Sequence, residues 1–206
     1  NVHTVKYWLS RFPNWDLERR SPLGGTTILG LTLRVGQHKR ELVEFLLDRG
    51  ASVEALSTSG VSILTSACAK PAADPDVVEL ILDRLRELRE TSQGSVVGDV
   101  NFRSRTWRDV SAQWRVRYLL TTTAYRLHVY KTGIVEYLAR TAGATALHRT
   151  TRAGDLAITQ LLLKHGARAN ISNSVGEKPL DYCDGFPEIK KALKRRGVKN
   201  APKRGE

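Results

Sequence analysis

Residues 143–148 read Gly143-Ala-Thr-Ala-Leu-His148, and residues 158–170 read Ile158-Thr-Gln-Leu-Leu-Leu-Lys-His-Gly-Ala-Arg-Ala-Asn170. The opening of this stretch recurs as Gly25-Thr-Thr-Ile-Leu29, Gly60-Val-Ser-Ile-Leu64 and Gly176-Glu-Lys-Pro-Leu180. Gly25 and Gly60 lie 35 residues apart, and Gly143 and Gly176 lie 33 residues apart. A fixed period of this length is the sequence signature of a repeat architecture.

The copy that begins at Gly25 shows how one repeat unit folds. In residues 41–49, Leu42, Phe45 and Leu46 recur at the spacing of one helical face. Gly50 follows, and glycine supplies the left-handed residue at which such a helix ends. A pair of helices this short cannot bury its apolar faces alone. We therefore predict that neighbouring pairs stack on one another.

These residues resemble the ankyrin repeat, whose period is about 33 residues and whose signature is of the Thr-Pro-Leu-His type. The resemblance covers most of the chain and is strongest over residues 143–193. It implies an all-α fold, a helical solenoid of stacked helix–turn–helix units joined by short β-turn fingers. It also implies a hydrogen-bonding structural role for His148 and a binding surface along the fingers and first helices.

The repeats predict one domain over residues 1–197. Its parts are an N-terminal half repeat (1–24), two repeats (25–59 and 60–102), a basic insert with a divergent repeat (103–142), a further repeat (143–175), a C-terminal capping repeat (176–197) and a basic tail (198–206).

The regular pattern breaks after the second repeat. Asp83-Arg84-Leu85 replaces the Asp48-Arg49-Gly50 of the preceding repeat, so the helix is predicted to continue to about Glu90. Residues 103–117 have no counterpart in the other repeats. A divergent repeat follows from Tyr118, with residues 132–140 predicted as its second helix.

The net charge of +12 is concentrated in two segments. Residues 103–131 and residues 185–206 each carry a net charge of +6, and the remaining residues balance. Two local basic patches predict two places where an acidic partner docks, whereas the simpler reading is two solvated faces.

No pattern for catalysis or cofactor binding is present in the sequence. It has no Gly-x-Ser-x-Gly nucleophile motif and no phosphate-binding glycine loop. Cys68 and Cys183 fall at equivalent small positions of two repeats and are predicted to be buried neutral thiols. We therefore predict a protein that is not an enzyme, with no cofactor, no metal and no small-molecule substrate.

Cysteine usage and hydropathy bear on the compartment. Two cysteines are too few for a disulfide scaffold and favour a reducing compartment. No apolar run approaches the roughly 20 residues that a membrane helix needs. The chain has no methionine, even at position 1, which predicts a processed product or part of a longer polypeptide. The expected location is intracellular, in the cytoplasm or in an organelle.

The insert is the predicted partner-facing element. Trp107 and Trp114 are seven residues apart and share one helical face, which Val110 and Tyr118 extend. The alternative is that these rings cover a seam of the solenoid. The candidate partner-binding residues are Arg103, Arg105, Trp107, Arg108, Trp114, Arg115, Arg117, Lys194, Arg195 and Arg196.

The resemblance adds a second candidate surface, the concave face. By family geometry it is built from Glu54, Ser57, Ser59, Arg149, Arg152, Ser172, Asn173 and Glu177. The leading hypothesis is a protein–protein interaction module or scaffold subunit that binds an acidic protein surface. The alternatives are a nucleic-acid-associated protein, in which arginines pair with phosphates and aromatic rings stack on bases, and a regulatory segment of an enzyme or channel.

Overall fold

The computed structural model of the chain describes residues 2–22, 25–34, 39–69, 73–91, 98–104, 112–127 and 133–199. It divides into two compact units, an N-terminal unit (Asn1–Gly98) and a C-terminal unit (Asp99–Glu206). Within the described ranges the regular structure is helical, and Leu56 and Ser62 form an isolated antiparallel bridge. The predicted all-α fold is confirmed.

The described residues of the N-terminal unit form five helices. They are α1 (Val2–Arg11), α2 (Ile28–Arg34), α3 (Lys39–Asp48), α4 (Ile63–Ala67) and α5 (Pro75–Thr91). Helix α2 packs on α3 within one repeat and on α4 of the next repeat, while α3 packs on α5. First helices therefore stack on first helices and second helices on second helices, as a solenoid requires.

Local sequence explains where these helices begin and end. The Ser62 hydroxyl accepts a hydrogen bond from the backbone N–H of Thr65 at 3.2 Å and caps the start of α4. After α3 the chain turns at Gly50, whose φ of 89° is left-handed. In the next repeat Leu85 stands at the position equivalent to Gly50, so no glycine ends the helix there. Helix α5 runs on to Thr91, and the predicted long helix is confirmed.

Fingers of neighbouring repeats bond to each other through their backbones. In the N-terminal unit the N–H of Thr58 donates to the carbonyl of Gly25 at 3.2 Å. In the C-terminal unit Ser104 donates to Ala144 at 2.8 Å, and Ser174 donates to Ala142 at 2.9 Å. These bonds hold each repeat in register with the next.

In the C-terminal unit, the part of the chain that the structure describes forms five helices and a short 3₁₀-helix. They are α6 (Ala112–Arg126), α7 (Gly133–Thr141), α8 (Ala146–Ala153), α9 (Leu156–Lys164), the 3₁₀-helix (Pro179–Tyr182) and α10 (Pro187–Lys199). Helix α8 packs on α9 and on the 3₁₀-helix, and α9 packs on α10. Helix α10 continues past residue 197, where the sequence predicted the capping repeat to end. The predicted basic tail lies outside the described residues from residue 200 onward.

Helix α6 crosses the predicted boundary between the insert and the divergent repeat. The sequence predicted that the repeat begins at Tyr118, but Tyr118 lies in the middle of α6, and the helix packs on α7. Residues 112–117 of the predicted insert and the first residues of the predicted divergent repeat are therefore parts of one helix.

The apolar core follows the predicted stripe of α3 only in part. Leu46 of α3 has no exposed surface, as that stripe requires, but Leu42 and Phe45 of the same stripe are only half-buried. Leu162 of α9 also has no exposed surface. Cys68 and Cys183 are also buried. Burial raises the pKa of the Cys183 thiol, which is therefore neutral, as predicted.

Candidate interaction surface

The first helix of the 143–175 repeat is fixed by a buried histidine. The His148 ring is 3% exposed, and its Nδ1 accepts a hydrogen bond from the backbone N–H of Thr145 at 3.1 Å. Its Nε2 lies 3.2 Å from the carbonyl oxygen of Glu177. Because Nδ1 is an acceptor, these bonds assign the proton to Nε2, which donates to Glu177. Burial lowers the pKa of His148 to about 4, so the ring is neutral at pH 7.

The Glu177 side chain is the centre of a polar network. It accepts hydrogen bonds from the hydroxyl groups of Tyr182 and Tyr125, the latter at 3.1 Å, and from Nε of Arg140 at 3.2 Å. Burial acts to raise the pKa of Glu177, but the Tyr182 hydrogen bond and the Arg140 charge outweigh it and hold that pKa below its ordinary value. Glu177 is therefore an anion with its hydrogen bonds made inside the unit.

Arg140 ties this network to α6 and α7. Its guanidinium carbon lies 5.5 Å from the ring centre of Tyr125 and 5.4 Å from that of Tyr182, and the group also pairs with Glu136. Charged and aromatic groups of this kind stabilise each other through cation–π contacts and charge-assisted hydrogen bonds. The network thus joins α6 and α7 to the finger that contains Glu177 and to the 3₁₀-helix after it, both of which come after the 143–175 repeat in the chain.

The network corrects part of the predicted concave face. Asn173 is 4% exposed, so its prediction as an open binding residue is wrong. Its side-chain amide donates to the carbonyl of Arg140 at 3.3 Å and to the Tyr182 hydroxyl at 3.0 Å. Its Oδ1 accepts the backbone N–H of Glu177 at 2.9 Å. Asn173 is thus used to build the finger.

Arg149 and Arg152 of α8, by contrast, frame an exposed aromatic ring. That ring belongs to Tyr137 of α7, which is 42% exposed. The guanidinium carbons of Arg149 and Arg152 lie 5.6 Å and 5.9 Å from its centre, and Arg149 donates to its hydroxyl at 3.1 Å. We call these three residues the Tyr137 patch. Among the described residues, neither arginine forms an ion pair with a carboxylate.

The sequence missed Tyr137. Family geometry pointed to Arg149 and Arg152, but Tyr137 comes from the second helix of the preceding, divergent repeat. Nothing in the local pattern of residues 133–141 marks this ring as exposed or as a neighbour of two arginines.

Six of the ten predicted partner-binding residues have described side chains. They are Arg103, Trp114, Arg115, Arg117, Lys194 and Arg195. Arg105, Trp107 and Arg108 lie outside the described residues, and Arg196 is placed in α10 without a described side chain.

The described members of this set have different surroundings. Nε of Arg103 donates to the carbonyl of Gly143 at 3.2 Å, which ties the 103–104 segment to the next finger. Arg117 lies over the half-buried ring of Trp114 at 5.5 Å. The remaining three, Arg115, Lys194 and Arg195, are exposed and form no ion pair with a carboxylate of the described part of the chain.

The predicted partner-facing stripe is wrong at Tyr118. This ring is 1% exposed and stacks on Trp114 with ring centres 5.7 Å apart. The face of α6 that carries these two rings is the packed face, and the predicted stripe ends in the core. Trp107 and Val110, the other two members of the stripe, lie outside the described residues.

The part of the chain that the structure describes contains no group of three or more histidine, cysteine, aspartate or glutamate side chains arranged to hold a metal ion. None of its helices combines the length and the apolar character needed to cross a membrane.

Comparison with known proteins identifies the family of the repeat that contains His148. Residues 142–174 match the family model of the ankyrin repeat, which confirms the predicted resemblance over this repeat. No curated protein matches the chain. Ankyrin repeats are typically protein–protein interaction modules without catalytic activity, and this is the functional class that the repeat indicates.

Proposed function

We propose that this chain is a non-enzymatic protein–protein interaction module of a larger assembly, and that its C-terminal unit binds an acidic partner surface. The Tyr137 patch is the observation that carries the proposal. Arg149 and Arg152 offer planar guanidinium groups that suit bidentate pairing with carboxylates. Tyrosine and arginine are also among the residue types that dominate binding energy at protein interfaces.

The distribution of charge supports an acidic partner. Residues 99–206 contain 21 basic and 9 acidic side chains, whereas residues 1–98 contain 12 of each. A field of one sign steers an oppositely charged partner towards the C-terminal unit. Arg115 and Arg117 of α6 and Lys194 and Arg195 of α10 are exposed cations of the same unit and are included in the proposal.

A charge-reversal variant of the patch tests this proposal. A displayed library of random peptides is selected on the wild-type chain, and the affinities of the enriched peptides are then measured. We expect these peptides to be acidic and to bind Arg149→Glu/Arg152→Glu at least about tenfold more weakly, because two attractive pairs become repulsive. Arg11→Glu/Arg34→Glu makes the same change of charge at exposed positions of the N-terminal unit and should leave the affinity unchanged.

The nucleic-acid alternative predicts a different result. A protein that binds phosphates loses affinity steeply as salt is raised, with a slope close to the number of phosphates contacted. If single-stranded oligouridylate binds the wild-type chain with such a slope and is lost in Arg149→Glu/Arg152→Glu, while no acidic peptide is enriched, the protein-binding proposal is contradicted.

A further inference from the structure

Helix α6 exposes a stripe of aliphatic side chains on the face that points away from the core. Val116, Leu120 and Leu127 are 58%, 63% and 67% exposed, and Leu119 is 49% exposed. At 100° per residue, Val116 and Leu120 lie about 20° from the direction opposite to the buried Tyr118. Leu127 is the first residue after α6. We call these four residues the outer stripe of α6.

The size of this stripe sets it apart from ordinary surface residues. Single exposed aliphatic side chains are common on folded proteins, but contiguous apolar patches mark interaction sites. Val116, Leu119 and Leu120 form adjacent turns of the stripe on α6, and Leu127 adds a fourth aliphatic group just past the end of the helix, roughly 16 Å along the helix direction from Val116. This is the length of contact that one short partner helix makes with another.

Positive charge lines the stripe on both sides. Arg115 and Arg117 are the sequence neighbours of Val116, so they leave the helix about 100° to either side of it. Both are exposed, and residues 112–127 contain no aspartate or glutamate. The Arg117 guanidinium is held over the Trp114 ring, which limits its freedom before any partner arrives. An occupant of the stripe therefore meets aliphatic groups in the middle and cations at both edges.

We propose that the outer stripe of α6 is the docking face for an amphipathic helix of an acidic partner protein. Apolar side chains of that helix, spaced three and four residues apart, pack on Val116 and Leu120, and its carboxylates pair with Arg115 and Arg117. This inference rests on the proposed function, since it gives the acidic partner a secondary structure and a place to bind.

Charge and chemistry favour this occupant over three others. A second copy of α6 would bring arginines against arginines, which is repulsive. A membrane surface favours tryptophan and tyrosine at its boundary, but Trp114 and Tyr118 lie on the packed face of α6. A single-stranded nucleic acid needs exposed rings on which bases stack, and the stripe has only valine and leucine.

Two variants of exposed residues test the proposal with a defined probe. The probe is a displayed library of helical peptides about five turns long, selected on the wild-type chain. Val116→Ser/Leu120→Ser removes apolar surface without touching the core, and Arg115→Glu/Arg117→Glu reverses the flanking charge. Tyr7→Ser/Leu31→Ser, which changes two exposed apolar residues of α1 and α2, is the matched control.

We expect enriched peptides with apolar residues at helical spacing flanked by aspartate or glutamate. Their dissociation constants should rise at least about tenfold for Val116→Ser/Leu120→Ser and stay unchanged for the control. Compared with the wild-type chain, Arg115→Glu/Arg117→Glu should bind these peptides more weakly. The same variant should bind peptides that carry lysine in place of glutamate more tightly than the wild-type chain does.

Three results would overturn the inference. In the first, acidic peptides are weakened by arginine reversal at α6 or at the Tyr137 patch but are unaffected by Val116→Ser/Leu120→Ser. The proposed function would then stand, and the helix-docking face would be wrong. In the second, no acidic peptide is enriched, which contradicts both proposals. In the third, loss of the stripe abolishes binding to phosphatidylserine-containing vesicles or to oligouridylate and leaves peptide binding intact.

Discussion

Leu162→Ala is expected to lower the free energy of unfolding by roughly 2–5 kcal/mol, because Leu162 is fully buried and its truncation leaves a cavity. The side chain lies on α9 with no exposed surface, in a helix that packs on both α8 and α10. A close-packed interior relaxes only partly around such a loss. Denaturation by urea, followed by circular dichroism, gives the change in midpoint and in free energy.

Two further variants keep this result interpretable. Leu46→Ala makes the same truncation at a fully buried position of α3 and should cost a similar amount in the N-terminal unit. Leu120→Ala truncates a side chain that is 63% exposed and should leave the midpoint nearly unchanged. A wild-type midpoint for Leu162→Ala would show that the stripe of α9 does not face the core.

The sequence was sufficient for the regular repeats because their determinants are local. The start of α9 is fixed by Asp155, whose carboxylate accepts the N–H of Ile158 at 3.1 Å. Gly154 before it has a φ of 69°, which few other residues adopt without strain. Leucine periodicity then determines which face of α9 is buried. Each of these signals lies within a few residues of the structure that it specifies.

Helix α6 shows where sequence reasoning fails. It has large apolar side chains on both faces, Trp114 and Tyr118 on one and Val116 and Leu120 on the other. Periodicity therefore predicts a helix but does not determine which face is packed. The two rings, flanked by arginines, look like an interface in the sequence, but the structure packs the rings and exposes the aliphatic groups. The choice depends on what the rest of the unit places beside the helix.

The polar network around Glu177 depends on distant residues in the same way. Arg140 and Glu177 are separated by 37 positions in the chain, and Tyr125 and Glu177 by 52. No local pattern pairs them. The resemblance placed Glu177 on an open binding face, whereas its actual partners are inside the unit. Only packing of α7 and the last finger brings these groups together.

Acidification is expected to destabilise the C-terminal unit through His148. Its folded-state pKa of about 4 lies below its ordinary value of 6.5, because burial disfavours the charged ring. Above pH 6.5 the ring is neutral in both the folded and the unfolded chain, and the stabilisation is complete. Below pH 6.5 the unfolded chain binds a proton that the folded chain does not, so stability falls until about pH 4. By linkage the loss over this interval is about 3 kcal/mol.

The measurement is the free energy of unfolding by urea between pH 7 and pH 4, for the wild-type chain and for His148→Gln. Glu177 also has a lowered pKa, so its carboxylate adds a loss of stability at the acidic end of this range in both proteins. The difference between the two curves therefore isolates the contribution of the histidine to the pH dependence.

We expect His148→Gln to be less stable at pH 7, because it loses the fit of the ring between Thr145 and the Glu177 carbonyl. We also expect it to lose less stability on acidification than the wild-type chain does. Parallel curves for the wild-type chain and His148→Gln would show that the buried ring does not bind its proton differently in the two states.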